Sequence, residues 1–244
     1  LAGQRSDGNR FTGEGLMIVN VIIPTHDRID LIKKTIDSLM NSDYPELRLW
    51  ICVDENRNMI REIKDYCPNQ NLKILYNKRR MDAVFSYNKI LSMIDNDGAV
   101  LNATDDLVFY PKTISTAVNK LKSAFRDTDG VIGLNQYQDG KPKGRKFAFC
   151  LIGNKFINRY PNRQIYCPDY IHFNSDREMG YFAIKYGHFV FLPVARIVHI
   201  RIPDRTTKLG KAVYMRDKKV YRERQARKLL WGSSFKLIAD ELKI

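Results

Sequence analysis

Apolar positions change their period repeatedly along this chain. MIVNVII (17–23) is rich in β-branched residues and predicts a buried strand that Pro24 ends. Leu31, Ile32, Ile36, Leu39 and Met40 then recur at helical spacing. LRLWICV (47–53) predicts a second strand, and the charged amphipathic stretch from Ile60 to Tyr66 a helix that stops near Pro68. LKILY (72–76) predicts a third strand. Val84, Tyr87, Asn88, Leu91 and Ile94 mark the next helix, AVLNA (99–103) a fourth strand, and Pro111 the start of another helix. Strand and helix thus alternate four times, which calls for a parallel sheet covered on both faces. Ligands of such sheets bind beyond the carboxyl ends of the strands.

Composition narrows the classes. The chain has 244 residues, enough for one α/β domain or two small ones, and an apolar share of 44% argues against disorder. Lys and Arg number 41 against 27 Asp and Glu, a net charge of +14, so an anionic partner is expected. The longest apolar run, Leu16 to Ile23, is too short to span a bilayer, and the first fifteen residues lack a signal-peptide core. Residues 1–16 read as a disordered leader or an appended remnant, with the natural start at Met17. Cys52, Cys67, Cys150 and Cys167 form no CxxC pair, so zinc-ribbon and redox motifs are not expected and a reducing cytoplasm is.

The strand ends carry the candidate chemistry. They read Pro24-Thr25-His26-Asp27-Arg28, Asp54-Glu55-Asn56, Asn77-Lys78-Arg79-Arg80 and Thr104-Asp105-Asp106. No GxGxxG follows the first strand and no P-loop occurs, so phosphates must be met another way. Adjacent carboxylates at Asp105 and Asp106 repel, and a divalent cation shared with a diphosphate relieves that repulsion. The same pair would also serve as a turn with a helix N-cap.

VNVIIPTHDRIDLIKKTIDSL, with Asp54, Asn77-Lys78-Arg79-Arg80, Asn88 and Thr104-Asp105-Asp106 at their spacings, resembles family 2 glycosyltransferases over residues 17 to 125, and more loosely to 200. The resemblance implies the GT-A fold: an α/β architecture with a mostly parallel central sheet flanked by helices. It implies that Thr25, Asp27, Arg28 and Asp54 hold the base and ribose of a nucleotide sugar and that Arg80 faces the nucleotide. Asp106 would bind Mn²⁺ or Mg²⁺, with Asp105 on the ribose or behind the metal. Where many members have DxD, this chain has Thr-Asp-Asp.

The resemblance also implies that Asp176 is the general base, although Ser175 replaces the Glu that members often carry before it. Ser175-x-x-Glu178 doubles as a capping-box pattern. Val194 to His199 resembles the strand ending in a metal-binding His, and His172 is a lesser candidate that could contact the acceptor. The activity implied is metal-dependent, inverting transfer from a nucleoside-diphosphate sugar, UDP-linked, to a hydroxyl. A nucleotidyltransferase would need a Gly-rich phosphate loop after the first strand, which is absent.

The expected organisation is a catalytic domain over 17–203, with a nucleotide-sugar half to 110 and an acceptor half from 111, then a basic helical tail over 204–244. That tail holds twelve Lys and Arg against five Asp and Glu. Tyr214 to Trp231 reads as a basic helix, bordered by Leu229, Leu230, Trp231 and Phe235. Lys141, Lys143, Arg145 and Lys146 sit in a Gly-rich stretch read as a mobile loop near the cleft. The tail reads as a solvated helix face, as a surface that meets anionic membrane lipid and makes the enzyme peripheral at a membrane face, or as one that meets nucleic acid. The segment from Tyr170 to Tyr221 is similar to transferases found in phage genomes. This supports an alternative that glycosylates hydroxylated DNA bases in a host cytoplasm. A non-catalytic nucleic-acid-binding protein is the reading outside enzymes.

Overall fold

The computed structural model describes residues 15–68, 71–95 and 98–232. The leader expected over 1–16 lies outside these, save Gly15 and Leu16, as does Phe235 of the tail. The first half alternates as its pattern predicts: β1 (Val19–Thr25), α1 (Ile29–Met40), β2 (Leu47–Asp54), α2 (Arg57–Tyr66), β3 (Leu72–Asn77), α3 (Asp82–Leu91) and β4 (Ala99–Asn102). These strands lie in the order β3-β2-β1-β4, all parallel. Both faces are apolar. Val19, Val21 and Ile23 pack with α1, α2 and a later helix, whereas Ile22, Trp50 and Cys52 pack with α3 on the other side.

Pro24 does not end β1, which runs on to Thr25 with Pro24 opposite Cys52 of β2. Ile18 and Ile22 accept hydrogen bonds from Ala99 and Ala103, so even-numbered residues of β1 face β4. Beyond Ala103 that neighbour has ended as a strand, and a proline there forfeits no ladder bond.

The second half adds β5 (Leu107–Phe109), α4 (Thr113–Ala124), β6 (Val131–Gln138), β7 (Lys141–Pro142), β8 (Cys150–Gly153), the short α5 (Asn154–Ile157), α6 (Ser175–Lys185), β9 (Phe189–His199) and α7 (Arg205–Ala226). The sheet continues β4-β8-β6-β9-β5 and becomes mixed: β8 is antiparallel to β4 and β6, while β6 and β9 run parallel. The expected tail helix begins at Arg205, nine residues before Tyr214, because Asp204 caps it by accepting from the Thr207 amide at 2.7 Å. It ends at Ala226 rather than Trp231.

Strand β5 positions the acidic pair. It pairs with β9 on one edge, setting Leu107 opposite His199. On the other edge no strand pairs with it among the described residues. Thr35 and Ser38 of α1, both buried, accept hydrogen bonds from the amides of Leu107 and Phe109 at 3.1 Å each. An apolar helix stripe thus carries two hydroxyls that finish a sheet edge.

Thr35→Val keeps the shape but leaves the Leu107 amide buried and unpaired. We expect a lower urea midpoint, equivalent to about 1–3 kcal/mol. An unchanged midpoint would show that the α1 hydroxyl does not hold β5.

Candidate active site

The turns that leave the parallel strands bend sharply. Asp27, Glu55 and Asp82 each take left-handed backbone, with φ of 55°, 60° and 59°. Beside these turns lies a cleft of about 590 Å³ that Thr25, Arg28, Asp54, Arg80, Asp105, Asp106, Asp176 and His199 all line. Asp27 does not line it. Its carboxylate turns outward and accepts from Asn56 Nδ2 at 2.9 Å. Of the basic stretch, Arg145 and Lys146 line the cleft with Gly144 and Phe147 to Phe149, whereas Lys141 belongs to β7 and neither it nor Lys143 reaches the lining.

The acidic pair is buried and densely partnered. Asp105 accepts from Thr25 Oγ1 at 2.7 Å, and Asp106 from Thr104 Oγ1 at 2.7 Å. Burial, then the charge of Asp106, pushes the Asp105 carboxyl up to about 6, against the pull of Arg28. For Asp106 burial also works upward, but the hydrogen bonds from His199 and Thr104 and the charge of Arg28 outweigh it and hold the group below the usual range. His199 Nε2 lies 3.2 Å from Asp106 Oδ2 because the β5–β9 pairing delivers it there.

Arg28 sits on this pair rather than standing free for a nucleotide. Its Nη1 reaches Asp105 at 3.3 Å and Asp106 at 3.1 Å. Its Nε and Nη2 donate to both oxygens of Asp204 at 2.8 and 3.1 Å, and Nη2 also to Thr207 Oγ1. Asp204 was not among the sequence candidates, although an Asp three residues before Thr207 is a helix-start signal. Burial would raise the Asp204 carboxyl, but Arg28 and the Thr207 amide and hydroxyl hold it at about 2.

Other candidates are committed to the scaffold. Asp54 accepts from Asn77 Nδ2 at 2.8 Å and from the amides of Met81 and Asp82 at 2.9 Å, opening α3. Arg80 donates twice to Asp82, leaving its buried Nη1 without a partner. Asn88 brackets the backbone of Tyr166 through both amide atoms and lies outside the cleft lining.

Asp176 opens α6 inside the cleft. Burial lifts its carboxyl above the usual range, against the helix-end amides. The Ser175-x-x-Glu178 pattern does not form a capping box. Asn174, with φ 68°, takes the N-cap position without a side-chain cap. Glu178 turns away, accepting from Tyr170 Oη at 2.6 Å and from Arg224 at 2.7 and 3.0 Å. Asn174 Nδ2 and Ser175 Oγ are buried without partners beside the cleft.

Helix α7 holds the cleft wall at His172 and Phe173. Asp217 is 0% exposed and accepts the amides of Ile171, His172 and Phe173, the last two at 2.8 Å. His172 Nδ1 rests 3.4 Å from Asp82.

Among the described residues no group of three or more His, Cys, Asp or Glu is placed to hold a metal. Asp106 and His199 offer two ligands, which suits Mg²⁺ or Mn²⁺ completing its shell with diphosphate oxygens and water. Gln136 supports that fit. Its Nε2 meets His199 Nδ1 at 2.9 Å while its buried Oε1 has no partner. Turning the amide over would satisfy Oε1 with an Nδ1 proton and free the Nε2 lone pair for a metal. Nothing in the sequence marks Gln136.

A sequence profile described as Glycosyl transferase family 2 matches residues 20–183, about two thirds of the chain. No curated protein matches it by sequence. Among solved structures it resembles the mannosyltransferase PcManGT of Pyrobaculum calidifontis in complex with GDP-Man and Mn²⁺. That match has TM-score 0.60 and 16% identity, covering 78% of this chain and 58% of that one. It also resembles S. aureus TarS 1–349 in complex with UDP (TM-score 0.63, 14% identity, 82% and 65% covered) and with UDP-GlcNAc (0.60, 14%, 78% and 61%). At these identities the likeness is one of fold. This chain spans about three fifths of the length of those structures.

Since Asp204 is depressed from about 3.9 in an unfolded chain, its contribution to stability is full above about pH 5. It is lost as pH falls through the folded value near 2. Asp204→Asn should therefore lower the urea midpoint at pH 7, and the gap to wild type should close as pH drops from about 5 toward 2. A pH-independent gap would refute the Arg28–Asp204 anchor.

Proposed function

The chain belongs to glycosyl transferase family 2, and on that premise we propose that it moves a sugar, with inversion, from a nucleoside-diphosphate sugar to an acceptor hydroxyl. One observation carries the reading. The Asp105–Asp106 pair, with His199, and Asp176 line one and the same cleft.

In the proposed step the acceptor oxygen attacks the anomeric carbon from the side opposite the diphosphate. The anomeric carbon–oxygen bond to the diphosphate breaks, and its electron pair leaves with the phosphate. The hydroxyl proton passes to Asp176, whose raised carboxyl makes it a stronger base than an exposed aspartate. Asn174 Nδ2 and Ser175 Oγ, both lacking protein partners, would orient the hydroxyl. Arg80 Nη1 is likewise available to a phosphate oxygen. Asp106 and His199 would hold the divalent ion, with Asp105 behind them and bonded to Thr25. A bound ion would offset the charge that develops on the leaving diphosphate. Arg28 shares Asp106 Oδ2 with His199 and would have to yield it, turning Nη1 toward the donor while Nε and Nη2 stay on Asp204.

A UDP-linked sugar is the donor to test first and a GDP-linked one second, since the PcManGT complex holds GDP-Man and the TarS complexes UDP or UDP-GlcNAc. Cys52, Cys67, Cys150 and Cys167 are free thiols, which fits the proposed cytoplasmic location. No helix among the described residues is long and apolar enough to cross a membrane. The surplus of cations in the tail supports an anionic acceptor or docking partner.

Asp176→Asn should cut transfer by about 10²–10⁴-fold while thermal stabilisation by the sugar nucleotide stays at the wild-type level. Normal turnover would remove Asp176 from the mechanism. Asp106→Ala should lose the Mn²⁺-dependent part of that stabilisation. Equal stabilisation by donor with and without Mn²⁺ in the wild type would overturn the metal role.

A further inference from the structure

The fold sorts the charges of the C-terminal segment. Residues 201–224 hold nine Lys and Arg and three acids. Two of those acids turn inward, Asp204 to Arg28 and Asp217 to the loop at 171–173. Arg224 follows them to Glu178. Arg216 turns to Asp217 and the Asp169 carbonyl, and four of the other cations line up along the outer face of α7. Lys208, Lys211, Lys219 and Arg222 are all exposed and fall on one stripe with Met215 at its centre, in steps of three and four residues. The stripe runs about 21 Å at 1.5 Å per residue. Among the described residues the acid paired with it is Glu223, 3.9 Å from Lys219.

This stripe lies on the same helix as part of the cleft wall. Tyr214, 43% exposed, lines the cleft edge-on to Phe173 at 5.4 Å between ring centroids. Tyr181, 40% exposed, stands on Phe147 in the same lining, at 5.4 Å. Partly exposed rings beside a row of cations are how proteins hold single strands: phosphates meet the cations and bases stack on the rings. Lys218 Nζ sits over the Tyr214 ring at 5.8 Å and moves aside for a base. A helix that inserts into lipid turns an apolar stripe outward. Here only Met215, 64% exposed, interrupts the cations, and Leu209 and Tyr214 lie about 100° or more to either side of it at 100° per residue.

We propose that the outer face of α7 binds the phosphodiester backbone of a single-stranded polynucleotide, with Tyr214 and Tyr181 stacking on its bases at the cleft mouth. Binding stands on the surface alone; that the strand is also the sugar acceptor rests on the transferase reading.

The test is fluorescence anisotropy with a labelled mixed-sequence DNA oligonucleotide. Four neutralised phosphates give a salt slope near −2.8, so affinity should fall about fifty-fold between 50 and 200 mM KCl. Combining Lys208→Gln, Lys211→Gln, Lys219→Gln and Arg222→Gln should weaken binding and flatten that slope. Tyr214→Ala should weaken it about five- to a hundredfold with the slope kept. Thermal stabilisation by the sugar nucleotide, measured on the fourfold variant, should match wild type and shows that it is folded. No binding by wild type, equal binding by the fourfold variant, or uptake by phosphatidylserine vesicles without oligonucleotide binding would overturn the proposal. Strand binding in a protein that shows no sugar-nucleotide stabilisation or hydrolysis would leave it intact and sink the transferase reading instead.

Discussion

One guanidinium between three carboxylates ties this molecule together. Arg28 comes from the turn after β1, Asp105 and Asp106 from the turn after β4, and Asp204 from the head of α7. Carboxylates gathered in a buried cleft repel one another and lose hydration, and each must be compensated or neutralised. Arg28 compensates all three at once. Thr25, Thr104 and His199 complete the shell around the pair. The cost of burying the acids is thereby turned into a link between the sheet and the last helix.

The same logic repeats along α7. Asp217 saturates its carboxylate with backbone amides of the loop before α6, and Arg224 neutralises Glu178 within α6. Asp204 anchors the helix through Arg28 to the acidic pair, and these two anchor it to the 171–173 loop and α6. The expected basic tail is, over Arg205–Ala226, a strut across both walls of the cleft. Its inward face consumes acids, and its outward face is left with cations.

Much of the site was legible because parallel α/β sheets gather strand ends. Thr25, Asp54, Arg80 and Asp105-Asp106 follow successive strands, so alternation alone predicts that they meet. His199 and Asp176 came from family resemblance, and the structure brings both to the cleft. What escaped were partnerships across long separations. Gln136 meets His199 only through the β6–β9 pairing, which shifts register between Leu134 and Asn135. Asp27 looked equal to its neighbours, yet the left-handed turn sends it outward to Asn56. Ser175-x-x-Glu178 had the spacing of a capping box, but Arg224 and Tyr170 compete for the carboxylate and win it.

Local pattern and composition determined the alternating elements, the carboxyl-edge location of the chemistry and the excess of positive charge, because periodicity and formal charge are properties of short stretches. Tertiary structure alone decided which charges are spent and which are left. Lys208 and Arg224 look alike along the chain. One faces solvent and the other grips Glu178, because the helix phase places them on opposite sides of α7. Asp204 and Asp217 read as offsets to a basic tail, but Arg28 engages the first and burial under the 171–173 amides takes the second. Charge can be counted in a sequence; whether it is seen by solvent depends on contacts between residues 176 positions apart.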